Sequence, residues 1–146
     1  MGVFMRIPCT RQECAMTRVP PFIITALLAS MTGAVALAGN ESRSIAYSLP
    51  GGLIEVVADF SENSIYWCGA GDHALNKMRK PGNQRLYVWK GPSPSIAQPG
   101  GRAVTFGFTP PPQGASPALT NDVGIIGNTL SVSQAKKTCD ERTSSG

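Results

Sequence analysis

The chain has 146 residues, with 13 basic and 9 acidic side chains and a formal net charge of +4. From residue 39 onward, 10 basic and 8 acidic residues remain. This near balance, without any basic stripe, argues against a nucleic-acid partner, because proteins that bind nucleic acids neutralise many phosphates with clustered Lys and Arg.

Residues 16–38 have the layout of a secretory signal peptide. Arg18 supplies a short basic region at the start of the segment. Residues 22–29 follow, and all of them except Thr25 are apolar. A basic region, an apolar run and then small residues are the three parts of a signal peptide, in that order. The segment therefore predicts export of the chain to the periplasm or the medium.

The end of this segment predicts where the signal peptide is removed. The A-L-A at 36–38 fits the A-x-A pattern of a cleavage site, so we expect cleavage between Ala38 and Gly39. The A-V-A at 34–36 is a second site of the same type. If neither is used, the apolar run 22–38 would remain as a membrane anchor, because its length is near the lower limit of the roughly 17–25 residues that span a bilayer. That anchor is the only membrane contact that the sequence predicts.

Residues 1–15 precede a signal peptide that is already complete, and they include an acidic residue and two cysteines. Such residues do not belong to a basic signal-peptide start. The simplest interpretation is that residues 1–15 are a mis-called N-terminal extension and that translation starts at Met16. Met1 and Met5 are the other two possible starts.

The four cysteines form two pairs with different interpretations. Cys9 and Cys14 have a C-x-x-x-x-C spacing, but no second pair of ligands stands near them, so the sequence predicts no metal site. Cys68 and Cys139 are the two that remain after residue 38. An even number of cysteines in an exported chain predicts a disulfide. It would close a loop of about 71 residues, which the chain-entropy model values at roughly 4 kcal/mol.

Two strands are predicted at the start of the exported part of the chain. Residues 43–49 and 53–59 contain many residues that favour extended backbone, and Pro-Gly-Gly at 50–52 separates them. A turn of this kind between two extended segments predicts that the two strands pair. If side chains alternate along the second strand, Glu55 faces water.

A helix is expected next. Ser61 or Asn63 can cap its start near residue 64, and apolar residues then recur at near-helical intervals. Basic residues at its end suit the negative pole of a helix, and Pro-Gly at 81–82 stops it. The predicted helix therefore carries Cys68 in its first half.

The second half of the chain predicts further strands and a second helix. Residues 85–90 and 103–108 are rich in aromatic and β-branched side chains, and 123–130 can hold a short buried strand. Proline-rich segments between them are expected to be loops. The S-V-S-Q at 131–134 matches the S-x-x-Q capping box, so a helix is expected over 131–139.

Together these elements predict one small exported α+β domain over residues 39–146. We expect an antiparallel sheet of four or five short strands, with two helices packed on it. A disulfide between Cys68 and Cys139 would join the two helices. The polar tail from about residue 140 is expected to fray.

The glycines that follow Cys68 have two interpretations. Residues 69–74 match the G-x-G-x-x-A of dinucleotide sites, but Lys90 stands where such a site needs an acid, so no cofactor is predicted. A packing role is favoured instead, because two glycines within a helix cost roughly 1 kcal/mol each. Gly69 and Gly71 would leave a notch in which the helix that carries Cys139 can dock.

Asp72 and His73 are the only candidates for catalytic residues. His73 is the single histidine of the chain, so no second imidazole supports a metal site, and no G-x-S-x-G motif supplies a nucleophile. Cys68 lies five positions before His73, about 140° around a helix, so the two cannot pair. The sequence therefore favours a structural role for Asp72 and His73 and leaves catalysis as the alternative.

The run Y-W-C-G-A-G-D-H-A-L at 66–75, with L-S-V-S-Q-A-K-K-T-C at 130–139, resembles a group of small, exported, functionally uncharacterised proteins of alphaproteobacteria. The W-C-G-A-G-D core and the late cysteine are the most specific parts of the resemblance. It implies export and the Cys68–Cys139 pair, and it implies no activity. Members of the group more often have an aromatic residue at the position of His73, which implies that this histidine is a poor catalytic candidate.

The sequence as a whole predicts a non-enzymatic periplasmic or secreted protein that binds or assists a partner, either a protein or a component of the cell envelope. The alternative is a small hydrolase-like enzyme that uses Asp72 and His73. Nothing in the sequence points to nucleic acid, a cofactor or a metal, and the oligomeric state is left open.

Overall fold

The computed structural model describes residues 43–141. The predicted N-terminal extension, the signal peptide with its cleavage site at Ala38 and Gly39, and the tail beyond residue 141 lie outside the described residues. The described part contains five strands and two helices, which in chain order are β1 Ser44–Leu49, β2 Leu53–Ala58, α1 Asn63–Asp72, β3 Arg85–Pro94, β4 Arg102–Gly107, β5 Thr129–Ser131 and α2 Val132–Lys137.

The five strands form one sheet in the order β1-β2-β4-β3-β5, and every pair of neighbours is antiparallel. Helix α1 contacts this sheet on one side and α2 on the other. The Cys68–Cys139 disulfide connects the two helical segments. The predicted α+β class, with two helices joined by one disulfide, is therefore confirmed.

The β1–β2 hairpin confirms the turn that the sequence predicts at 50–52. Leu49 pairs with Leu53, and Gly51 and Gly52 between them have φ angles of 79° and 74°. Glycine adopts this left-handed backbone without the steric cost that a side chain would add. The Pro-Gly-Gly sequence thus determines where the chain reverses, and the register of the first two strands follows from it.

Helix α1 is the centre of the core. All residues from 64 to 71 are buried, because the sheet, α2 and the segment before β5 surround the helix. The Trp67 ring lies 4.8 Å from the ring of Phe106 on β4, and its Nε1 donates to the carbonyl oxygen of Asn121 at 2.7 Å. A helix that is covered on every side shows no polar stripe, which explains the dense apolar sequence of this segment.

The start of α1 agrees with the prediction, but its cap does not. The N-cap residue is Glu62, and its side chain makes no capping hydrogen bond. Asn63, one of the two predicted caps, instead accepts a hydrogen bond from the backbone nitrogen of Val123 at 3.2 Å through its Oδ1. Asn63 therefore ties the segment before β5 to the helix and leaves the helix start without a side-chain cap.

Helix α2 begins with the predicted capping box. The backbone nitrogen of Gln134 donates to Ser131 Oγ at 3.2 Å, and the backbone nitrogen of Ser131 donates to Gln134 Oε1 at 3.0 Å. The helix continues into a 3-10 turn, Thr138–Asp140, which carries Cys139. Reciprocal capping fixes the direction in which α2 leaves β5.

The disulfide and Gly71 together define a close helix joint. The Cα atoms of Cys68 and Cys139 are 4.7 Å apart. A Cβ at Gly71 would lie 2.7 Å from the carbonyl carbon of Ala135 and would overlap the backbone nitrogen of Lys136. Only a residue without a side chain allows α2 to approach α1 this closely, so the predicted notch is present at Gly71.

Gly69 serves a different contact from the predicted one. A Cβ at this position would lie 2.6 Å from Ser44 Oγ and 2.7 Å from Val56 Cγ1. Both atoms belong to strands, because β1 and β2 pass over this face of α1. The prediction that Gly69 makes room for the C-terminal helix is therefore wrong, and Gly69 makes room for the sheet.

Candidate functional site

Asp72 connects α1 to α2. Its Oδ1 accepts hydrogen bonds from Asn76 Nδ2 at 2.6 Å and from Lys136 Nζ at 2.9 Å, and Lys136 belongs to α2. Burial raises the pKa of Asp72, but the hydrogen bonds from Lys136 and Asn76 outweigh burial and leave that pKa below its ordinary value. The carboxylate is therefore ionised at neutral pH and is used as a tie across the helix joint.

His73 turns away from Asp72 toward the sheet. Its Nε2 lies 2.8 Å from Ser48 Oγ at the end of β1. Burial lowers the pKa of His73, and the nearby positive charge of Lys77 lowers it further. The negative charge of Asp72 raises this pKa but does not outweigh the other two effects. The imidazole is therefore neutral at pH 7 and can exchange a hydrogen bond with the serine.

The Ser48–His73 pair is a contact that the sequence does not predict. Ser48 lies 25 residues before His73, and only the register of β1 against α1 brings them together. A serine hydrogen-bonded to a histidine is the first half of a nucleophile arrangement, which is completed by a group that orients the imidazole. Within residues 43–141 no carboxylate is hydrogen-bonded to His73, because Asp72 binds Lys136 and Asn76.

A cavity of about 230 Å³ is lined in part by Asp72, His73 and Lys77, and Ser48 is not among its lining residues. Across the described range, no group of three or more His, Cys, Asp and Glu side chains is placed to hold a metal ion. The structure thus brings Asp72 and His73 to one cavity but gives them separate partners.

Three adjoining cavities form a groove at the end of the sheet where β2 leads into α1. Their volumes are about 430, 450 and 130 Å³. The first, here called the β2–α1 cavity, shares Gly100 and Arg102 with the second and Ala58 and Asp59 with the third. The sequence predicts no site here, because the lining comes from separate segments that only the fold assembles: 43–45, 57–62, 92–94, 98 and 100–102.

The charged residues of the groove differ in their pairing. Arg43 lies 4.0 Å from Glu62, and its guanidinium lies 3.9 Å from the centre of the Phe60 ring. Asp59 and Arg102 form no ion pair with any residue in the range 43–141. The groove therefore offers one exposed carboxylate and one exposed guanidinium that have no ion-pair partner in the described range.

Glu55 of β2 holds one wall of the groove in place. Only 1% of this residue is exposed, and its carboxylate accepts hydrogen bonds from Ser95 Oγ at 2.9 Å and from the backbone nitrogens of Ile96 and Ala97 at 2.8 Å each. The prediction that Glu55 faces water is therefore wrong, because the segment after β3 folds back over this face of the sheet. A carboxylate is stable in such a place only where hydrogen bonds replace water.

Strand β3 reaches Pro94, four residues beyond its predicted end at residue 90. Strand β5 pairs only with the first three residues of β3, so Pro92 and Pro94 lie where one edge of β3 is open. Proline is tolerated on an open edge, because no neighbour there needs its missing N–H group. The predicted loop at 91–101 therefore begins only after Pro94, and the two prolines line the groove.

Replacing Glu55 with glutamine is expected to lower the free energy of unfolding by about 1–3 kcal/mol, because an amide cannot accept all three hydrogen bonds and leaves buried donors unpaired. Urea unfolding at pH 7 measures the change. Glu62→Gln is the matched control, since Glu62 is partly exposed and its weak contact with Arg43 contributes less than about 1 kcal/mol. Equal stability of the two variants would contradict the role given to Glu55.

The hydrogen bonds of Glu55 also predict that acid weakens the wall of the groove that they hold. Burial raises the pKa of Glu55, but the hydrogen bonds from Ile96, Ala97 and Ser95 outweigh burial and lower that pKa below its ordinary value. The stability that the ionised Glu55 contributes is therefore complete above about pH 4.3, the usual glutamate pKa. It is lost as the pH falls through the lowered pKa that Glu55 has in the folded protein. The protection of the amides of residues 95–98 against hydrogen exchange, measured relative to the intrinsic rate at each pH, should fall in that acid range.

The described helices include none that is long and apolar enough to cross a membrane. Comparison of the chain with known proteins found no matching family model, no matching curated protein and no matching solved structure. The fold and the disulfide alone thus define the class, a small disulfide-linked α+β domain. A structural disulfide of this kind indicates an oxidising, non-cytoplasmic environment.

Proposed function

We propose that this chain is an exported, non-enzymatic binding or accessory protein that acts in the periplasm or the medium. The observation that carries the proposal is the groove, in which Asp59 and Arg102 have no ion pair within residues 43–141 although they line adjoining cavities. Unneutralised charges in a concave site are suited to recognition of a ligand.

Export is supported by the signal-peptide layout of residues 16–38 and by the disulfide. N-terminal sequencing of protein recovered from the periplasm or the medium tests it. A chain that begins at Gly39 is expected. A chain recovered there with Met1 or Met16 at its start would show that the signal is not removed.

The roles of Asp72 and His73 favour binding over catalysis. The Asp72→Ala, His73→Ala double variant is expected to lose roughly 0.2–1 kcal/mol of stability, because the Asp72–Lys136 ion pair is partly exposed. It should still complement a strain from which the gene is deleted. A double variant that folds normally but fails to complement would contradict the proposal and favour an enzyme.

The groove itself is tested by site-specific photo-crosslinking in cells. Phe60 lies in the groove and is 43% exposed, whereas Leu119 is fully exposed and does not line the groove. Each is replaced in turn by benzoylphenylalanine, and intact-mass spectrometry then detects a protein partner and a small ligand alike. We expect a defined adduct at position 60 and none at position 119. Equal adducts at both positions would contradict a binding role for the groove.

A second candidate function is favoured by one contact, the 2.8 Å separation of Ser48 Oγ and His73 Nε2. In a small hydrolase-like enzyme, His73 would accept the serine proton and Ser48 would attack the substrate. Labelling by a fluorophosphonate tests this candidate, since the reagent bonds to an activated serine oxygen and releases fluoride. Labelling of Ser48 that disappears in His73→Ala would support the enzyme, and an unlabelled protein would exclude an activated serine.

A further inference from the structure

We propose that the β2–α1 cavity binds a small zwitterion, a ligand with both an ammonium group and a carboxylate, such as a free amino acid or a short peptide. This inference rests on the proposed binding function and names the ligand class of the same groove. The cavity is formed by residues 58–62 together with Gly100 and Arg102, and its volume is about 430 Å³. That volume lies within the roughly 300–1,000 Å³ that is usual for small-molecule sites.

One part of the cavity is suited to a carboxylate. Arg102 contributes a guanidinium, which can hold a carboxylate through two parallel hydrogen bonds. Helix α1 begins at the same cavity with Glu62 as its N-cap, and that side chain makes no capping hydrogen bond. The positive end of a ten-residue helix therefore adds to the attraction for an anion.

Another part of the cavity is suited to an ammonium group. Asp59 and Glu62 both contribute to the lining, and of the two only Glu62 forms an ion pair, with the guanidinium of Arg43 at 4.0 Å. A simple anion would be repelled by Asp59, and a simple cation would be repelled by Arg102. A ligand that carries both charges on a short frame satisfies the two residues at once.

Tyr66 supplies an independent indication of a ligand at this place. The residue is fully buried, and its hydroxyl has no hydrogen-bond partner among residues 43–141. A phenylalanine would fill the same space without leaving a buried polar atom unpaired, which is costly. The hydroxyl is thus a polar group that the ligand-free core does not use.

Tyr66 follows residues 59–62 of the cavity closely in the chain, although it is not itself one of the lining residues. Side chains of an α-helix lean toward its N-terminus, and Tyr66 lies in the first turns of α1, next to the cavity. Burial raises the pKa of Tyr66. The charge of Arg102 lowers this pKa, and the charges of Asp59 and Glu62 raise it. These three charged residues all line the cavity. The proposal therefore assigns Tyr66 to the ligand site on its unpaired hydroxyl and its position directly after the cavity segment.

Isothermal titration calorimetry of the full mature protein tests the proposal with four probes: L-alanine, L-alanyl-L-alanine, N-acetyl-L-alanine and L-alaninamide. The last two each lack one of the two charges. We expect one of the zwitterions to bind at least about tenfold more tightly than the blocked compounds, which is the effect of losing one charge-assisted hydrogen bond. The alanine and dipeptide arms distinguish a free amino acid from a peptide. Equal binding of all four probes, or binding of none, would overturn the proposal.

Two variants test which residue binds each charge of the ligand. Arg102→Ala should remove the preference for the zwitterion over L-alaninamide, and Asp59→Asn should remove the preference over N-acetyl-L-alanine. Lys137→Ala, an exposed change on α2 outside the groove, is the control and should leave all affinities unchanged. Unchanged selectivity in Arg102→Ala or in Asp59→Asn would contradict the assignment.

Tyr66→Phe separates a ligand contact from a purely structural role. The variant should melt at the same temperature as the parent or higher, because it removes an unpaired buried hydroxyl, and it should bind the zwitterion about tenfold more weakly. A variant with unchanged affinity would remove Tyr66 from the site.

The outcome for the ligand class is distinguishable from the outcome for the proposed function. If no zwitterion binds but Asp59→Asn and Arg102→Ala abolish the adduct at position 60, the groove is a binding site and the ligand class is wrong. If no zwitterion binds and position 60 gives no specific adduct, both the ligand class and the binding function are wrong.

Discussion

Removal of the disulfide by Cys68→Ser is expected to lower the free energy of unfolding by about 2–5 kcal/mol. The bond closes a loop of 71 residues, and opening it restores conformational freedom to the unfolded chain. It also releases the turn after α2 from α1. A domain of this size has roughly 5–15 kcal/mol of stability in total, so the loss is a large fraction. Urea unfolding of the purified, oxidised protein measures it.

Cys139→Ser and the double serine variant are the controls for this result. All three variants should have the same stability, because each removes the same single bond. Reduction of the parent should reproduce the loss. Free thiols at Cys68 and Cys139, found by alkylation of freshly isolated protein, would contradict the disulfide. A parent whose stability does not change on reduction would contradict its energetic role.

Gly71→Leu is expected to destabilise the domain by about 1–3 kcal/mol or more through overpacking, although leucine favours helix over glycine by roughly 1 kcal/mol. The new Cβ alone would lie 2.7 Å from the carbonyl carbon of Ala135, and the rest of the leucine would force α2 away from α1. Since Cys139 follows α2 directly, this displacement also strains the disulfide joint. Thermal and urea unfolding measure the change.

Gly69→Ala, compared with Gly71→Ala, is the matched control on the same helix. A methyl group at Gly69 meets the side chains of Ser44 and Val56, whereas a methyl group at Gly71 meets the backbone of α2. Side chains can rotate away more easily than a disulfide-anchored backbone, so Gly71→Ala should be the more destabilising of the two. A Gly71→Leu variant as stable as the parent would show that the close helix approach is not needed.

Local signals in the sequence predict much of the fold. The Pro-Gly-Gly turn, the S-V-S-Q capping box and the pair of late cysteines each depend on residues that act on their immediate neighbours or on a redox environment. All three are present in the structure. The α+β class follows because these local features determine where elements begin, end and reverse.

The predictions from sequence that proved wrong concern contacts between segments that are distant in the chain. Glu55 is buried because residues 95–97, about 40 positions later, cover it, and the alternation within β2 contains no information about that segment. The extension of β3 to Pro94 depends in the same way on its pairing with β4, in which Ser93 and Pro94 lie opposite Ala103 and Arg102. Tertiary context decides both cases, and a strand pattern alone does not report it.

The contacts of the candidate site also could not be predicted from local sequence patterns. Asp72 and His73 are adjacent in sequence, but adjacent helix residues point about 100° apart, so one reaches α2 and the other reaches β1. The groove could not be predicted because its charges lie at the ends of different strands. The glycines beside Cys68 gave a usable signal at Gly71, where a helix backbone approaches, and a misleading one at Gly69.

The position of the disulfide also determines how the protein responds to proteases. The covalent ring closed by Cys68 and Cys139 contains β3, β4 and β5, together with the exposed segment around Leu119. A single cut at that segment would leave two fragments that stay linked through sulfur, so the nicked chain would migrate intact until it is reduced. The β1–β2 hairpin lies outside the ring, and a cut at 50–52 would free the first strand from any covalent tie to the rest. Outside the cytoplasm, the ring makes the second half of the domain tolerant of the cleavage that exposed loops attract.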